Sequence, residues 1–558
     1  MKRVLLLAGI VGCASHVDGG GGDVPPGSSG WAIDVDMSGL DRFVPLGTTT
    51  WPVRGHVKAS AAIAEVDVAG MPAQLDAGDF SAMVTTAPGL TLVPIVATDI
   101  DAHARQANRS LLEARFAPEG SANPGGASIV LTDAILAGMS SGLAGNVAAV
   151  DVAGEILAMP VLSDDGQCAT WPTSASQGQV AAHLVRDHAE LWLEIVVPQL
   201  DVTFDGQCQG PLRQIPLSGE MSGDLQIWTR LTPGAPGAGG CITSFQHTAP
   251  QVSVANWAFG VWGTGGPLQD WIVSAFSGDK AQQAQDQLTS QTATRADQIL
   301  AQQLASISVF DKISPVSLLG RPVDLHLCLG GLDPVGDTVI ARIATTAQGM
   351  GTRAAPGAPQ IDGDAPIAGA GELVLDANVV GQLLFSAWRD GGLARMNAQQ
   401  VDFGELAAIV RGLGDLYPDA TTVDVSFDGE LPPLVRATPD VMGADLRVEL
   451  GDLMLDLSLH GESLFKFGVH LTLDLDLVPM NGALVPMVIA TKSQVTLLAE
   501  KLDGPDLALE EAVQLQLGTA AAQLLGMTAL ALPAVPGMGT PTNVTPDANG
   551  RYLHVQLD

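Results

Sequence analysis

Basic residues are scarce in this chain. Of its 558 residues 26 are Lys or Arg against 60 Asp or Glu, a formal net charge of −34 at pH 7. Lysine is confined to Lys2, Lys58, Lys280, Lys312, Lys466, Lys492 and Lys501. Binding a phosphate backbone depends on Lys and Arg neutralising phosphates, so nucleic acid is excluded as a partner and anionic head groups are disfavoured. The plainest use of the acidity is to keep an apolar-rich protein in solution. Aromatic residues make up only 4%, which leaves Leu, Val and Ala to fill the interior. Beyond the first dozen residues there is no run of about 18 apolar residues, the length a spanning helix requires, and this excludes a polytopic membrane protein. No CxxC occurs, and His183 and His188 lack the Glu and the spacing of a zinc helix, so neither a metal nor a cofactor is expected.

What the chain has in abundance is apolar surface. Hydrophobic residues are 46% and charged residues 15% of the sequence, with a mean hydropathy of +0.26. Their clear periodicity excludes disorder over most of the length. At roughly 100 to 200 residues per domain, three or more domains are expected.

The N-terminus sets the expected compartment. Met1-Lys2-Arg3 is a charged start, Val4 to Ile10 is apolar, and Ile10-Val11-Gly12-Cys13 resembles the lipobox of bacterial lipoprotein signal peptides. The resemblance implies that residues 1–12 are removed and that Cys13 becomes a diacylated anchor to a membrane. Ala14 after it implies sorting to the outer membrane, on its periplasmic or surface face. Residues 13–38, with Gly19 to Gly22 and Pro25-Pro26-Gly27, read as a flexible tether. A short secretory signal with an ordinary thiol at Cys13 is the competing reading. Four cysteines then remain for an oxidising compartment, Cys168, Cys208, Cys241 and Cys328. Cys168 and Cys208 both follow Asp-Gly-Gln, which favours pairing them and pairing Cys241 with Cys328, although three connectivities are open.

Residues 39–118 alternate as short strands at 50–57, 64–70, 79–84 and 90–99, punctuated by Gly and Pro. Their order resembles bacterial Ig-like modules, an all-β sandwich that serves as a spacer or as a surface for an envelope protein partner. Residues 119–355 open with helical spacing at Ile129, Leu131, Ile135, Leu136, Met139 and Leu143. Strand patterns follow at 148–157, 191–204, 215–231 and 252–260, then a helix of about 40 residues from Pro267, then strands at 322–329 and 339–343. After a linker at 356–371, residues 372–558 repeat this grammar. Asp376 caps a helix that buries Val379, Val380, Leu383, Leu384 and Trp388 and stops at Gly391. A short helix at 403–412, leucine ladders through 446–477, a helix at 507–525 and a final strand at 552–557 complete it.

These segments carry a family likeness. Val380-Gly381-Gln382-Leu383-Leu384-Phe385-Ser386-Ala387-Trp388, Leu413-Gly414-Asp415-Leu416-Tyr417-Pro418, Pro432-Pro433-Leu434-Val435 and Leu532-Pro533-Ala534-Val535-Pro536-Gly537 stand in that order. Residues 372–558 thereby resemble the C-terminal half of the bactericidal/permeability-increasing protein family of tubular lipid-binding proteins. Cys241, the strand before Trp257 and the helix from Trp271 to Ile307 fit its N-terminal half. The resemblance covers about 430 residues and rests on the order of the segments, since no single one is decisive. It implies an α+β fold of two elongated barrels, each a bent antiparallel sheet wrapped on a long helix, opening apolar grooves for acyl chains. Ile272, Phe276, Leu288, Ile299, Leu383, Leu384, Leu471 and Leu473 are the groove candidates, with ordinary core as the competing reading of each. Members that attack endotoxin carry a basic tip on the first barrel, whereas Lys280 is the only lysine between residues 59 and 311. Neutral or zwitterionic lipid, or another hydrophobic small molecule, is therefore the expected ligand.

Gly138-Met139-Ser140-Ser141-Gly142 matches the Gly-x-Ser-x-Gly nucleophile motif in form, but that motif needs a strand before it and no acid or histidine follows in rhythm. The expectation is a non-enzymatic, envelope-anchored lipid-binding or lipid-transfer lipoprotein. The alternative is an adhesion or scaffolding lipoprotein whose barrels are filled with side chains.

Overall fold

A computed structural model describes residues 32–34, 40–59, 61–147, 151–159, 161–164, 168–209, 214–263, 279–305, 310–396, 399–410, 412–500, 509–514, 530–532, 535 and 537–558. Cys13 and the expected tether lie outside them, apart from residues 32–34. The described chain is mostly sheet, with few helices and curled half-barrel sheets, which is the extent to which the expected α+β barrels are met.

The first curled sheet is built on three long strands, Glu190–Gln209, Gln214–Pro233 and Gln251–Gly263. Strict alternation puts Leu191, Leu193, Ile195 and Val197 on one face, opposite Leu231, Ile227 and Leu225 of the next strand. The ladder slips between Val197 and Leu200 and again between Ser222 and Asp224. These slips lie side by side and are tied by one carboxylate. Asp224 accepts a bond from Gln199 N (3.0 Å) and another from Asn256 Nδ2 (2.6 Å). Gln199 and Asn256 both sit at positive φ, 51° and 55°. A crease of bulges across neighbouring strands raises the twist locally and bends the sheet. The Gln199 bond holds the Asp224 carboxyl below its ordinary range. The strand Cys168–Ser176 adds an edge, with Cys168 facing Cys208 in register and disulfide-bonded to it.

Two helices precede and one follows this sheet on its apolar side. Helix α1 spans Asp133–Val147 and α2 spans Val152–Leu157, while α3 spans Asp279–Leu304. Two local expectations are corrected here. Residues 127–130 are strand, not helix, because Ala127, Ile129 and Leu131 bury alternate side chains and the helix starts only at Asp133. Residues 152–157 are helix, not strand. Asp151 caps it through Gly154 N (2.8 Å), and Val152, Ala153 and Ile156 bury one helical face.

A second sheet is shared by distant parts of the chain. Its order is Asp311–Leu318, Arg321–Val335, Thr338–Gln348, Asn123–Val130, Glu372–Asp376, Tyr552–Leu557 and Pro541–Pro546. Glu372–Asp376 is apolar on both faces, as befits a central strand covered on both sides. It runs into Asp376, whose carboxylate caps helix α4 (Ala377–Arg389) by accepting from Asn378 N (2.9 Å). Nearly every residue of α4 is buried, the mark of an interior helix. Gly391 ends it at φ 71°.

The second curled sheet carries the leucine ladders. Leu446–Leu459, Glu462–Met480 and Ala483–Glu500 pair antiparallel, with Val448 opposite Leu473 and Leu450 opposite Leu471. Of the helix expected at 507–525 only Leu509 to Gln514 are described, and they are helical. One apolar cluster runs unbroken from the first curled sheet through the shared sheet to the second.

The N-terminal strands pack as their own cluster, Val53, Val57, Val66, Val68, Phe80, Val93, Ile95 and Leu111 among them, and this cluster takes in Met454 and Leu498 of the second curled sheet. Residues 32–34 pair with both Thr50–Lys58 and the strand Ala483–Glu500, so the ladder is continuous between the two regions. A long strand, Ala104–Ala117, lies on the outer face of the leucine-ladder sheet. There a Cβ at Gly451 would clash with Ser110 Cβ at 2.9 Å, and one at Gly468 would sit tightly against Asn108 O at 3.2 Å.

Candidate functional site

Helix α3 presents Leu288, Thr292, Ala296, Leu300 and Leu304 as a buried stripe repeating every fourth residue, with Ile299 beside it half-buried. This face looks toward the concave side of the first curled sheet, where Ile195, Ile227 and Val252 form one row across three strands. Helix α2 closes a third side. Between them lies a narrow open cleft, lined by Val152, Ile156, Met159, Ile195, Ile227, Ala296, Ile299 and Leu300, with Glu155, Thr292 and Arg295 as its polar members.

The walls follow from the sequence locally. Asp151 starts α2 so that Val152 and Ile156 point the same way, and Gln177 Oε1 accepts from Ala153 N (2.9 Å), tying the helix to the loop before the strand Ala181–Asp187. Glu155 and Arg295 bring one charge of each sign, so the lining carries no net charge. Thr292 is 4% exposed and its hydroxyl has no hydrogen-bond partner. An arrangement of this kind can take up a hydrocarbon chain. Each methylene removed from water against such a lining would contribute about 0.8 kcal/mol without polar chemistry.

Of the groove candidates, Ile299 lines this cleft and Leu288 lies on the same helix, buried. Leu383 and Leu384 are inside α4, and Leu471 and Leu473 face inward on the leucine ladder; all four are almost wholly buried in the main core. Ile272 and Phe276 lie outside the described residues. Val152, Ile156 and Met159 were not anticipated, because 148–157 reads as alternating strand. The Asp151 cap, with Glu155 in the first turn, was the signal available.

Ser140 is not at a strand-to-helix elbow. It lies within α1, 6% exposed, where its Oγ donates to Leu136 O (2.6 Å) and accepts from Leu184 N (2.7 Å). The second disulfide joins Cys241 to Cys328, with Cα atoms 5.5 Å apart. Among the described residues no helix is long and apolar enough to cross a membrane.

No protein-family model and no curated protein matches the chain. Solved structures similar to it include the crystal structure of lipopolysaccharide binding protein, at 12% identity and a TM-score of 0.36, covering 78% of this chain and 98% of that one. Another is P47 of Clostridium botulinum E1, at 9% identity and a TM-score of 0.29, covering 78% and 100%. The solution structure of latherin matches at 11% identity and a TM-score of 0.13, covering 32% and 92%.

Proposed function

We propose that this chain is a non-enzymatic lipid-binding protein of the bacterial envelope, tethered to the outer membrane through acylated Cys13 and holding acyl chains in apolar clefts of tubular barrels. The observation that carries the reading is the cleft between α2, α3 and the first curled sheet, whose walls are aliphatic apart from three polar members. The acidic, lysine-poor composition favours a neutral or zwitterionic ligand. The lipobox-like segment supports the anchor.

Native mass spectrometry of the purified chain is expected to show copurified lipid. Ala296→Phe, which puts a ring into the cleft, is expected to remove it and to abolish uptake of a fluorescent fatty acid. A parent chain with no bound lipid and no uptake overturns the reading. Anchoring is tested separately: Cys13→Ser is expected to release the protein from the membrane fraction.

A second reading, a scaffolding or adhesion lipoprotein with side-chain-filled barrels, is favoured in the C-terminal half. There Leu383, Leu384, Leu471 and Leu473 are at most 3% exposed. Lipid binding confined to the first half would reconcile the two.

A further inference from the structure

The loop that carries Cys241 crosses the outer face of the shared sheet and is fixed there by Ile242 N donating to Leu329 O (2.7 Å) and Gly237 N to Cys241 O (2.8 Å). Beneath it, His326 and Cys328 stand two residues apart on one face of the strand Arg321–Val335. The potential ligand atoms of Cys241, His326 and Cys328 all lie within 4.8 Å of one another. Both cysteines are buried, at 4% and 2%, while the imidazole is 31% exposed and so reachable from solvent.

A further group completes the picture. Asp311, on the adjacent strand and directly opposite Cys328 in register, holds His326 Nε2 at 2.6 Å. A carboxylate on one imidazole nitrogen, leaving the other to a metal, is the usual outer shell of a zinc-bound histidine. Zinc bonds of about 2.0 Å to nitrogen and about 2.3 Å to sulfur set tetrahedral ligands roughly 3.3 to 3.8 Å apart. Small rotations of the two cysteine side chains reach that spacing once they are no longer joined.

We propose that opening the Cys241–Cys328 bridge turns this corner into a zinc site. Cys241 Sγ, Cys328 Sγ and His326 Nδ1 are its ligands, water takes the fourth position, and Asp311 orients the imidazole. The opening agent is a dithiol. It attacks the bridge, passes through a mixed disulfide and leaves as its own disulfide, and the two electrons and two protons it gives up leave both cysteines as thiols. Zinc then binds them as thiolates and releases those two protons to solvent. Bridge and metal are thus alternative ways of pinning one loop to the sheet. The Cys168–Cys208 pair, the other disulfide among the described residues, serves as the comparison.

The test uses the full chain carrying Cys13→Ser, Cys168→Ser and Cys208→Ser, reduced with dithiothreitol, freed of reductant under nitrogen and equilibrated with zinc. About one zinc per chain is expected by elemental analysis, with a thiolate-to-metal absorption band when cobalt replaces zinc. Asp311→Asn is expected to weaken binding about 10- to 100-fold, and His326→Ala at least about tenfold. The companion chain with Cys13→Ser, Cys241→Ser and Cys328→Ser is expected to bind none, and oxidation of the first chain is expected to expel the metal. Equal binding by both chains, indifference to His326→Ala, or retention of zinc after oxidation overturns the proposal. Should the triple variant fail to fold, the reduced parent chain serves: zinc is expected to raise its melting temperature and His326→Ala to remove the rise, and absence of any rise overturns the proposal equally.

Discussion

Arg109 and Asp452 meet across 3.3 Å although 343 residues separate them, and their side chains are 4% and 1% exposed. Around them Arg42 pairs with Glu430, Arg109 Nη2 with Glu430 (2.9 Å), and Asp452 also accepts from Ser110 N (2.8 Å). Two cations and the Asp452 carboxylate are therefore buried, with Glu430 partly exposed beside them, where the strand Ala104–Ala117 lies on the leucine-ladder sheet. Arg105 to Glu500 (2.7 Å) and Asn108 N to Thr496 Oγ1 (3.0 Å) extend the seam. Removing one partner of such a pair strands the other without water, at a cost of about 3 to 5 kcal/mol. Asp452→Ala is expected to lower stability by that order, and Arg109→Met by less, because Asp452 keeps Arg42 nearby (3.7 Å) and Ser110. Chemical denaturation of both variants checks the order.

Ser140 gives a prediction that separates packing from chemistry. Ser140→Ala removes the acceptor of Leu184 N inside the core, so stability is expected to fall by about 1 to 3 kcal/mol. Ester hydrolysis is expected at background in parent and variant alike. Hydrolysis by the parent that the substitution abolishes would count against the lipid-binder reading.

Asp376 ties the end of its own strand to three other segments. It is fully buried, caps α4, accepts from Asn123 Nδ2 (2.9 Å) and pairs with Arg551 (2.7 Å). Asp376→Ala is expected to cost about 3 to 5 kcal/mol, more than the roughly 1 kcal/mol of an N-cap alone. Asp402→Ala, which removes only a cap on the helix Phe403–Ile409, is the matched comparison in a thermal melt.

Burial pushes the Asp445 carboxyl from its ordinary 3.8 up to about 6, with Asp476 adding to the rise and the bond from Leu477 N opposing it. The folded chain thus holds this proton more tightly than the unfolded chain. Asp445 therefore erodes stability as pH rises from about 4 to about 6. Asp445→Asn keeps an acceptor for Leu477 N and carries no charge. It is expected to match the parent near pH 4 and to melt higher above about pH 6; equal melting temperatures at both ends would refute this.

The parts of the fold legible in the sequence are those whose causes are local. Asp376 and Gly391 bracket α4 by capping chemistry, and the alternation from Leu446 to Leu477 writes its register residue by residue. The strand Ala104–Ala117 was not legible, because Arg109 and Glu113 interrupt its alternation and the carboxylates that explain Arg109 lie more than three hundred residues on. Helix α2 reads as a strand because Val150-Asp151-Val152 alternates like one, and only the Asp151 cap marks a helix start. The place of Ile299 beside the apolar stripe of α3 is legible from that helix alone. The cleft itself depends on Ile156, Ile195 and Ile227 standing opposite it, which no periodicity on one segment discloses.

The order of the shared sheet bears on biogenesis. Asn123–Val130 is hydrogen-bonded on one side to Thr338–Gln348 and on the other to Glu372–Asp376, and that strand in turn to Tyr552–Leu557. During synthesis an early strand must wait, edges unpaired, for neighbours made much later. Non-local pairing of this kind slows folding and leaves sticky edges exposed in the interval. Depletion of holding chaperones is therefore expected to raise the aggregated fraction of newly made chain.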